Sequence, residues 1–340
     1  MKQTVILPSI QTLFFLTFVI QSANVFSAEI QSNEQPNDGV VAFNAGHYNE
    51  AEIYFLAKSK EPQFKNESLI YLSKIAKEKG DGDAAIKYIE QALAVEPNTA
   101  EELLVSGDIY CDQAQRSSIF AALKLAKSCI TQYDAAVTMA PENIEALVSA
   151  TKFHLNAPAI VGGSTKRGNE LLERLSRLSP EDADTLRVPL VEKGKGANSA
   201  LAFADELSKK GFRSAENQYQ IAHYYRDKKL YTKAQSLFEP LLSWKETSKN
   251  KWFLNDSWLQ LGEIFLIEGK DPAQGVKLIE HYKKKNSNPH DVHYFWSTWS
   301  LAKGYKALGE KDKYDALVKN IKSEDYKQNK AFSKEFESSI

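Results

Sequence analysis

Cys111 and Cys129 are the only two cysteines of this 340-residue chain. Their C-x17-C spacing has no histidine at ligand distance, so the pair does not suit a zinc site. The helical pattern described below places them on two facing helices of one hairpin, where an oxidising compartment favours a disulfide. The sequence therefore predicts one internal disulfide. The alternative is a pair of buried thiols that never meet.

His290 and His293 have the i, i+3 spacing that would place two imidazoles on one face of a helix. Two imidazoles can share a metal ion, but Asp291 would point elsewhere on that helix. No other third ligand can be identified nearby. We therefore expect no metal site at this position.

Gly162, Gly163 and Ser164 precede a predicted helix, where successive backbone N–H groups can hold an anion. However, the glycines lack the lysine followed by serine or threonine of a phosphate-binding loop, and no strand is predicted before them. A tight turn that ends in a serine helix cap is the simpler interpretation. Nucleotide binding is not supported.

No motif in the chain combines a nucleophile, a base and an orienting acid. The charge is also balanced, with 43 lysines and arginines against 44 aspartates and glutamates and a pI of about 6.6. Such a chain lacks the strong positive field that nucleic-acid binding requires. We therefore expect a protein that is not an enzyme, with no catalytic residues, no cofactor and no nucleic-acid partner.

The first residues have the pattern of a secretory signal peptide. Leu13–Ile20 is an apolar block, and small residues after it allow cleavage following Ser27 or Ala28. The block is shorter than the roughly 20 residues of a membrane span, so an uncleaved anchor is the weaker alternative. We expect a signal peptide at 1–28, a short linker at 29–36, no integral membrane segment after cleavage, and a periplasmic or secreted product.

The elements that would position any site come from a helical pattern that returns along residues 37–340. Gly80–Pro97 has the small, apolar, small and proline spacing of the second helix of a repeat. Related stretches end at Pro62, Pro141 and Pro180, so the boundaries are separated by 35, 44 and 39 residues. Periods of this size are typical of stacked helical hairpins.

Two stretches carry a family resemblance, namely Tyr231-x-x-Ala234-x-x-x-Phe238 and Trp258-x-x-Leu261-Gly262-x-x-Phe265. They resemble the tetratricopeptide repeat, whose helices carry W-x2-L-G-x2-Y and A-x3-F before a closing proline. The resemblance covers roughly Asn37 to Ile321. It implies an all-α, right-handed α-solenoid of about eight helical hairpins.

The same resemblance predicts details of the hairpins. Small residues are expected where neighbouring helices cross closely, at Gly107, Ala150, Ala222 and Gly262. A degenerate fifth hairpin carries Pro189 inside its leading helix, which predicts a bend near 181–210. In addition, the A-P-A-I-V-G-G-S-T stretch from Ala157 resembles a loop of some secreted bacterial tetratricopeptide proteins of unassigned role.

Side chains on the leading helices that do not pack between hairpins are expected to line the concave groove of such a superhelix. A polar lining with aromatic residues is typical of surfaces that capture a peptide or another extended ligand. The alternative is an unoccupied polar face with two tryptophans packed against a terminal cap. The predicted groove residues are Lys74, Asp108, Thr151, His154, Tyr219, His223, Arg226, Glu263, Trp296, Trp299 and Lys303.

These observations favour a non-enzymatic, exported scaffold that binds a protein or peptide segment in its groove. One alternative is a periplasmic carrier that presents a small organic ligand to a transporter. It would need an enclosed pocket near Tyr219, His223 and Arg226. A second alternative is a metal-dependent enzyme built on the same helical scaffold.

Overall fold

The computed structural model describes residues 38–340, apart from 96, 97, 248 and 287–292. These residues form 17 α-helices and no strand, which confirms the all-α prediction. None of the described helices combines the length and the apolar composition needed to cross a bilayer. The predicted signal peptide and linker lie outside the described residues, as do His290 and Asp291.

The chain divides into two compact units, Met1–Ala197 and Asn198–Ile340. The helices of the first unit are α1 Asp38–Asn44, α2 Tyr48–Lys58, α3 Lys65–Glu78, α4 Gly82–Leu93, α5 Ala100–Arg116, α6 Ile119–Met139, α7 Ile144–Asn156, α8 Thr165–Leu178 and α9 Pro180–Lys195. Those that follow are α10 Ala197–Lys210, which begins at the boundary, α11 Ala215–Asp227, α12 Tyr231–Leu241, α13 Lys251–Glu268, α14 Pro272–Lys285, α15 Tyr294–Ala307, α16 Lys311–Ser323 and α17 Lys330–Ser339.

Within each unit, helices that follow one another in sequence pack as hairpins. In the first unit α1 packs with α2, α3 with α4, α5 with α6 and α7 with α8, and α9 then packs against α8. In the second unit the hairpins are α11 with α12, α13 with α14 and α15 with α16, and α17 packs against α15. The first helices of several successive hairpins also contact one another, as α3 does with α5, α11 with α13 and α13 with α15. These first helices are called leading helices below.

Side-chain caps set where several helices begin. At the start of α5, the Thr99 hydroxyl accepts a hydrogen bond from the Glu102 N–H at 3.2 Å, and the Glu102 carboxylate accepts one from the Thr99 N–H at 2.8 Å. Asp81 caps α4 and Asn143 caps α7 in the same way, each at 3.0 Å. Such caps satisfy N–H groups that have no partner inside the helix. They therefore stabilise helix starts at these residues.

The predicted small residues lie at helix crossings. A Cβ atom on Gly107 would lie 2.4 Å from the ring of Tyr133 in α6, and one on Gly262 would lie 2.7 Å from Ile279 in α14. Ala222 and Ala150 are both fully buried. Bulk at these positions would separate the helices, so the close approach requires glycine or alanine.

The disulfide prediction is confirmed. Cys111 of α5 and Cys129 of α6 are joined, with their Cα atoms 5.3 Å apart. These are the longest two helices of the first unit, and the bond ties them where they face each other inside the core.

The predicted fifth hairpin differs from the others. Its two helices, α9 and α10, fall on either side of the boundary at Ala197 and Asn198. Pro189 lies inside α9, which remains helical from Pro180 to Lys195. The bend predicted near 181–210 stays a prediction.

Candidate functional site

Polar contacts across the leading helices of the second unit follow a fixed sequence interval. Tyr219 contacts Asp256, Arg226 contacts Glu263, and Glu263 contacts Ser300, each pair being 37 residues apart. The interval equals one hairpin, so equivalent positions of α11, α13 and α15 meet side by side.

Arg226, Glu263 and Ser300 form a ladder across three leading helices. The Arg226 Nη2 donates to Glu263 Oε2 at 2.5 Å, and the Ser300 hydroxyl donates to Glu263 Oε1 at 2.6 Å. The side chains of Arg226 and Glu263 are 22% and 18% exposed, so the ion pair is half-buried. Because the two charges compensate each other, this part of the surface is polar without carrying net charge.

Tyr219 lies in the interior of the second unit and not on an open surface. It is 1% exposed, and its hydroxyl donates to Asp256 Oδ2 at 2.6 Å. Gln260 Nε2 donates to the same oxygen at 2.8 Å. Burial, reinforced by the nearby carboxylate of Asp256, raises the pKa of the Tyr219 hydroxyl well above its ordinary value. The phenol therefore stays protonated and acts as a donor to Asp256.

His223 and Lys303 keep part of their surface open to solvent. The His223 side chain is 23% exposed and lies 3.5 Å from the carboxylate of Asp227. Lys303 places its Nζ 5.8 Å from the centre of the Trp299 ring and 3.6 Å from Glu335 of α17. We use the name leading-helix face for His223, Arg226, Glu263, Trp296 and Lys303 of the second unit.

The two tryptophans of α15 pack against α17. Trp299 is 1% exposed, with its ring centre 5.1 Å from that of Phe336, and the half-buried Trp296 meets Phe332 edge to face at 5.2 Å. The prediction that Trp299 lines an open groove is therefore corrected, because α17 covers it. The alternative of a terminal cap therefore describes Trp299, whereas the half-buried Trp296 keeps part of its surface exposed.

In the first unit, Lys74 of α3 and Asp108 of α5 lie close together. The Tyr133 hydroxyl of α6 donates to Asp108 Oδ1 at 2.8 Å. Burial raises the pKa of Asp108 to about 7, against the lowering effects of this hydrogen bond and of the lysines at 77 and 74. Burial lowers the pKa of Lys74, against the raising effects of Glu101 and Asp108. The structure thus brings two predicted residues together in a half-buried polar cluster.

Thr151 and His154 of α7 also require correction, because both are buried. Thr151 is fully buried, and His154 is 5% exposed. The imidazole Nε2 lies 3.1 Å from Asp134 Oδ2 of α6, which is the return helix of the preceding hairpin. Both side chains therefore pack between hairpins and are closed to a ligand in this structure.

The residues that sequence reasoning missed are Trp252, Asp256, Gln260 and Ser300 in the second unit, and Tyr133 in the first. The 37-residue interval could have identified three of them, since Asp256, Gln260 and Ser300 each follow a predicted residue by one hairpin. Nothing in the repeat signature marks Trp252, because it precedes the Trp258 motif and lies in the first turn of α13.

Among the described residues, no three histidine, cysteine, aspartate or glutamate side chains are arranged to hold a metal ion. His293 is described and contacts the ring of Trp252 at 6.3 Å between centres. The predicted absence of a metal site at 290–293 stays a prediction.

Comparison with known proteins gives one family match. The sequence pattern of the tetratricopeptide repeat family matches residues 67–99, which span α3 and α4. No curated protein matches the chain.

Several solved structures match this chain at low sequence identity and with TM-scores below 0.5. A tetratricopeptide repeat protein from Parabacteroides merdae is 13% identical, with a TM-score of 0.49, over 78% of this chain and 96% of that one. The human IFIT1 dimer with PPP-AAAA is 14% identical, with a TM-score of 0.44, over 83% and 65%. The C-terminal part of a TPR repeat-containing protein from Cytophaga hutchinsonii is 17% identical, with a TM-score of 0.33, over 85% and 94%. At these values, none of them transfers a ligand or an activity to this chain. The chain carries a tetratricopeptide repeat at residues 67–99, within an all-helical series of hairpins.

Proposed function

We propose that this chain is a non-enzymatic scaffold that binds a segment of a protein or peptide on the leading-helix face of its second unit. The observation that carries the proposal is the ladder of Arg226, Glu263 and Ser300, which repeats polar groups across three successive leading helices. An extended segment lying across these helices would meet Arg226 on α11, Glu263 on α13 and the exposed Lys303 on α15.

The chemistry of the face suits a peptide. The Arg226–Glu263 pair on this face is half-buried, so these two side chains are positioned in advance and lose little freedom on binding. The guanidinium and carboxylate can exchange hydrogen bonds with a peptide backbone, while the half-buried Trp296 offers an aromatic surface. Tetratricopeptide repeats commonly bind proteins or peptides, which supports the same conclusion.

The proposal is tested by selecting peptides from a displayed library on the purified chain and measuring their affinity for two variants. Arg226→Gln removes the charge from the ladder and keeps a donor, whereas Lys277→Gln changes an exposed lysine on the return helix α14. We expect the selected peptides to bind Arg226→Gln at least about tenfold more weakly, which is about 1.4 kcal/mol. Lys277→Gln should bind like the unmodified chain. Equal affinity for both variants, or no enriched peptide, would contradict the proposal.

The alternative function, in which the chain carries a small organic ligand, is less well supported. It requires an enclosed pocket at Tyr219, His223 and Arg226. The open cleft found in the second unit is instead lined by other residues, among them Asp205, Ser208, Tyr225 and Lys233. The Tyr225 hydroxyl and Lys233 Nζ both donate to Asp205 there, so its polar groups already have partners within the chain.

We also propose that the chain is exported. The apolar block in residues 1–28 and the pairing of both cysteines are consistent with an oxidising compartment. Expressed in a bacterium with residues 1–28, the protein should be recovered from the periplasm, cut after Ser27 or Ala28 and oxidised. The same chain without residues 1–28 should stay in the cytosol with reduced thiols. Retention of residues 1–28 by the mature protein would contradict the proposal.

A further inference from the structure

Asp256 of α13 is a buried carboxylate with incomplete hydrogen bonding. It is 2% exposed, and its Oδ2 accepts hydrogen bonds from the Tyr219 hydroxyl and from Gln260 Nε2. Its Oδ1 has no hydrogen-bond partner among the described residues, and the same is true of the Gln260 Oε1. Gln260 is itself 6% exposed. Buried polar atoms without partners are rare because they lose hydration without compensation.

Both unpartnered atoms are hydrogen-bond acceptors, and one belongs to a carboxylate. The group that would complete their hydrogen bonding is therefore a donor that carries a positive charge. Arg226 lies near enough to lower the pKa of the Tyr219 hydroxyl, but its Nη2 already donates to Glu263. His223 lies beside Asp227. An ammonium group carries three N–H donors and one positive charge, which matches a carboxylate oxygen and an amide oxygen one helical turn apart.

Aromatic rings lie beside this carboxylate. Trp252 precedes Asp256 by one turn of α13, and its ring centre lies 5.5 Å from that of Tyr219 and 6.3 Å from that of His293. Trp252 and His293 are half-buried, so the rings reach from the interior towards solvent. The face of a tryptophan ring attracts cations, most strongly where water is excluded. A buried carboxylate beside such a ring is a favourable environment for a desolvated ammonium group.

We propose that Asp256, Gln260 and Trp252 form a subsite for a primary ammonium group of the bound peptide, either a lysine side chain or the peptide's amino terminus. This inference rests on the proposed function and names one chemical feature of its ligand. The Asp256 Oδ1 is closed to solvent, so a neighbouring side chain must move before an ammonium group can reach it, and the proposal assigns this movement to the half-buried Trp252, one helical turn away. Binding should therefore change the environment of the Trp252 indole.

The test uses the purified chain and three capped or uncapped tripeptide probes, titrated by NMR while the indole N–H signal of Trp252 is followed. Acetyl-Gly-Lys-Gly-amide carries a side-chain ammonium, Gly-Gly-Gly-amide carries a terminal ammonium, and acetyl-Gly-norleucine-Gly-amide carries neither. We expect one of the two ammonium probes to bind at least about tenfold more tightly than the norleucine probe and to shift the Trp252 signal. The preferred probe identifies the source of the ammonium group.

Two variants assign the effect to the subsite. Asp256→Asn keeps an acceptor for the Tyr219 hydroxyl and removes the charge, so it should fold and lose the preference for the ammonium probe. Trp252→Leu should also weaken binding of the ammonium probe, and it provides the test if Asp256→Asn proves unstable. Glu268→Gln, at the other end of the same helix and outside the leading-helix face, is the matched control and should keep the preference. Equal binding of the norleucine probe, or an undiminished preference in both variants, would overturn the subsite.

The result is separable from the proposed function. If library peptides lose affinity for Arg226→Gln but show no ammonium preference, the scaffold proposal stands and the ammonium subsite is wrong. If no peptide of either experiment binds, both are wrong.

Discussion

Asp108 is the residue whose protonation should affect the stability of the first unit most visibly. Burial raises its pKa from an ordinary 3.8 to about 7 in the folded chain. Between about pH 4 and pH 7, the Asp108 carboxyl is therefore protonated in the folded state and deprotonated in the unfolded state. This contribution to stability is fully present below about pH 4 and is lost as the pH rises through about 7.

We predict that Asp108→Asn removes this pH dependence. The free energy of unfolding, measured by urea denaturation from about pH 5 to about pH 8, should fall with rising pH more steeply in the unmodified chain than in the variant. His281, whose pKa is lowered by burial and by two nearby lysines, contributes with the opposite sign. Its effect cancels in the difference between the two proteins. Parallel curves would show that Asp108 does not hold a proton at neutral pH.

Gly262 is a second residue whose environment allows a sharp test. A Cβ atom there would lie 2.7 Å from Ile279 Cγ1 and 2.9 Å from the backbone oxygen of Gly275. We predict that Gly262→Ala destabilises the chain by about 1–3 kcal/mol, because the crossing of α13 and α14 must widen. Larger residues should have a greater effect.

The matched control for Gly262 is Gly194 of α9, where an added Cβ would meet nothing within 4 Å. Gly194→Ala should stabilise the chain by up to about 1 kcal/mol, since alanine has the higher helix propensity. Chemical denaturation of both variants measures the difference. Equal effects of the two substitutions would show that the crossing is not tightly packed.

At the scale of elements, α5 and α6 are held together by both packing and a covalent bond. Cys111 and Cys129 are 18 residues apart in sequence. Closing a loop of this size stabilises a folded chain by roughly 3 kcal/mol in the chain-entropy model. We predict that Cys111→Ala with Cys129→Ala lowers the free energy of unfolding by about this amount. A reducing agent should reproduce the loss in the unmodified chain and have no effect on the double variant, and an unchanged midpoint after reduction would refute the prediction.

The helical hairpins could be predicted because small and apolar residues recur at helical spacing and prolines mark boundaries 35 to 44 residues apart. Helix α17 could not, since Lys330–Ser339 lacks the repeat signature. Its Phe332 and Phe336 are fully buried and cover part of α15. As a result, the repeat pattern alone predicts an open surface at Trp299, which α17 covers in the structure.

The candidate site was predicted less completely than the helices. A repeat pattern identifies the leading helix, but a rotation of about 100° per residue decides whether a side chain meets solvent or the next hairpin. Ala150, Thr151 and His154 are all buried, so the packed side of α7 is wide enough to include the two predicted groove residues. Arg226 and Glu263 remain partly exposed, and their contact follows from the 37-residue interval between equivalent positions of α11 and α13.

At the scale of the whole molecule, each unit has its own packed interior. The cluster around Cys129 and Tyr133 lies in the first unit, and those around Ile279 and around Trp299 lie in the second. In stacked repeats, stability is approximately a sum of the terms within each repeat and between nearest neighbours. A destabilising substitution in one unit should therefore lower stability mainly within that unit.

We predict that hydrogen exchange will separate the two units. Gly262→Ala should accelerate amide exchange across residues 198–340, whereas Cys111→Ala with Cys129→Ala should accelerate it across residues 38–197. Mass spectrometry of peptic fragments from each variant, compared with the unmodified chain, measures both effects, and Gly194→Ala serves as the neutral reference. If either defect accelerates exchange equally in both units, the chain unfolds as one cooperative body and the local description of its stability is wrong.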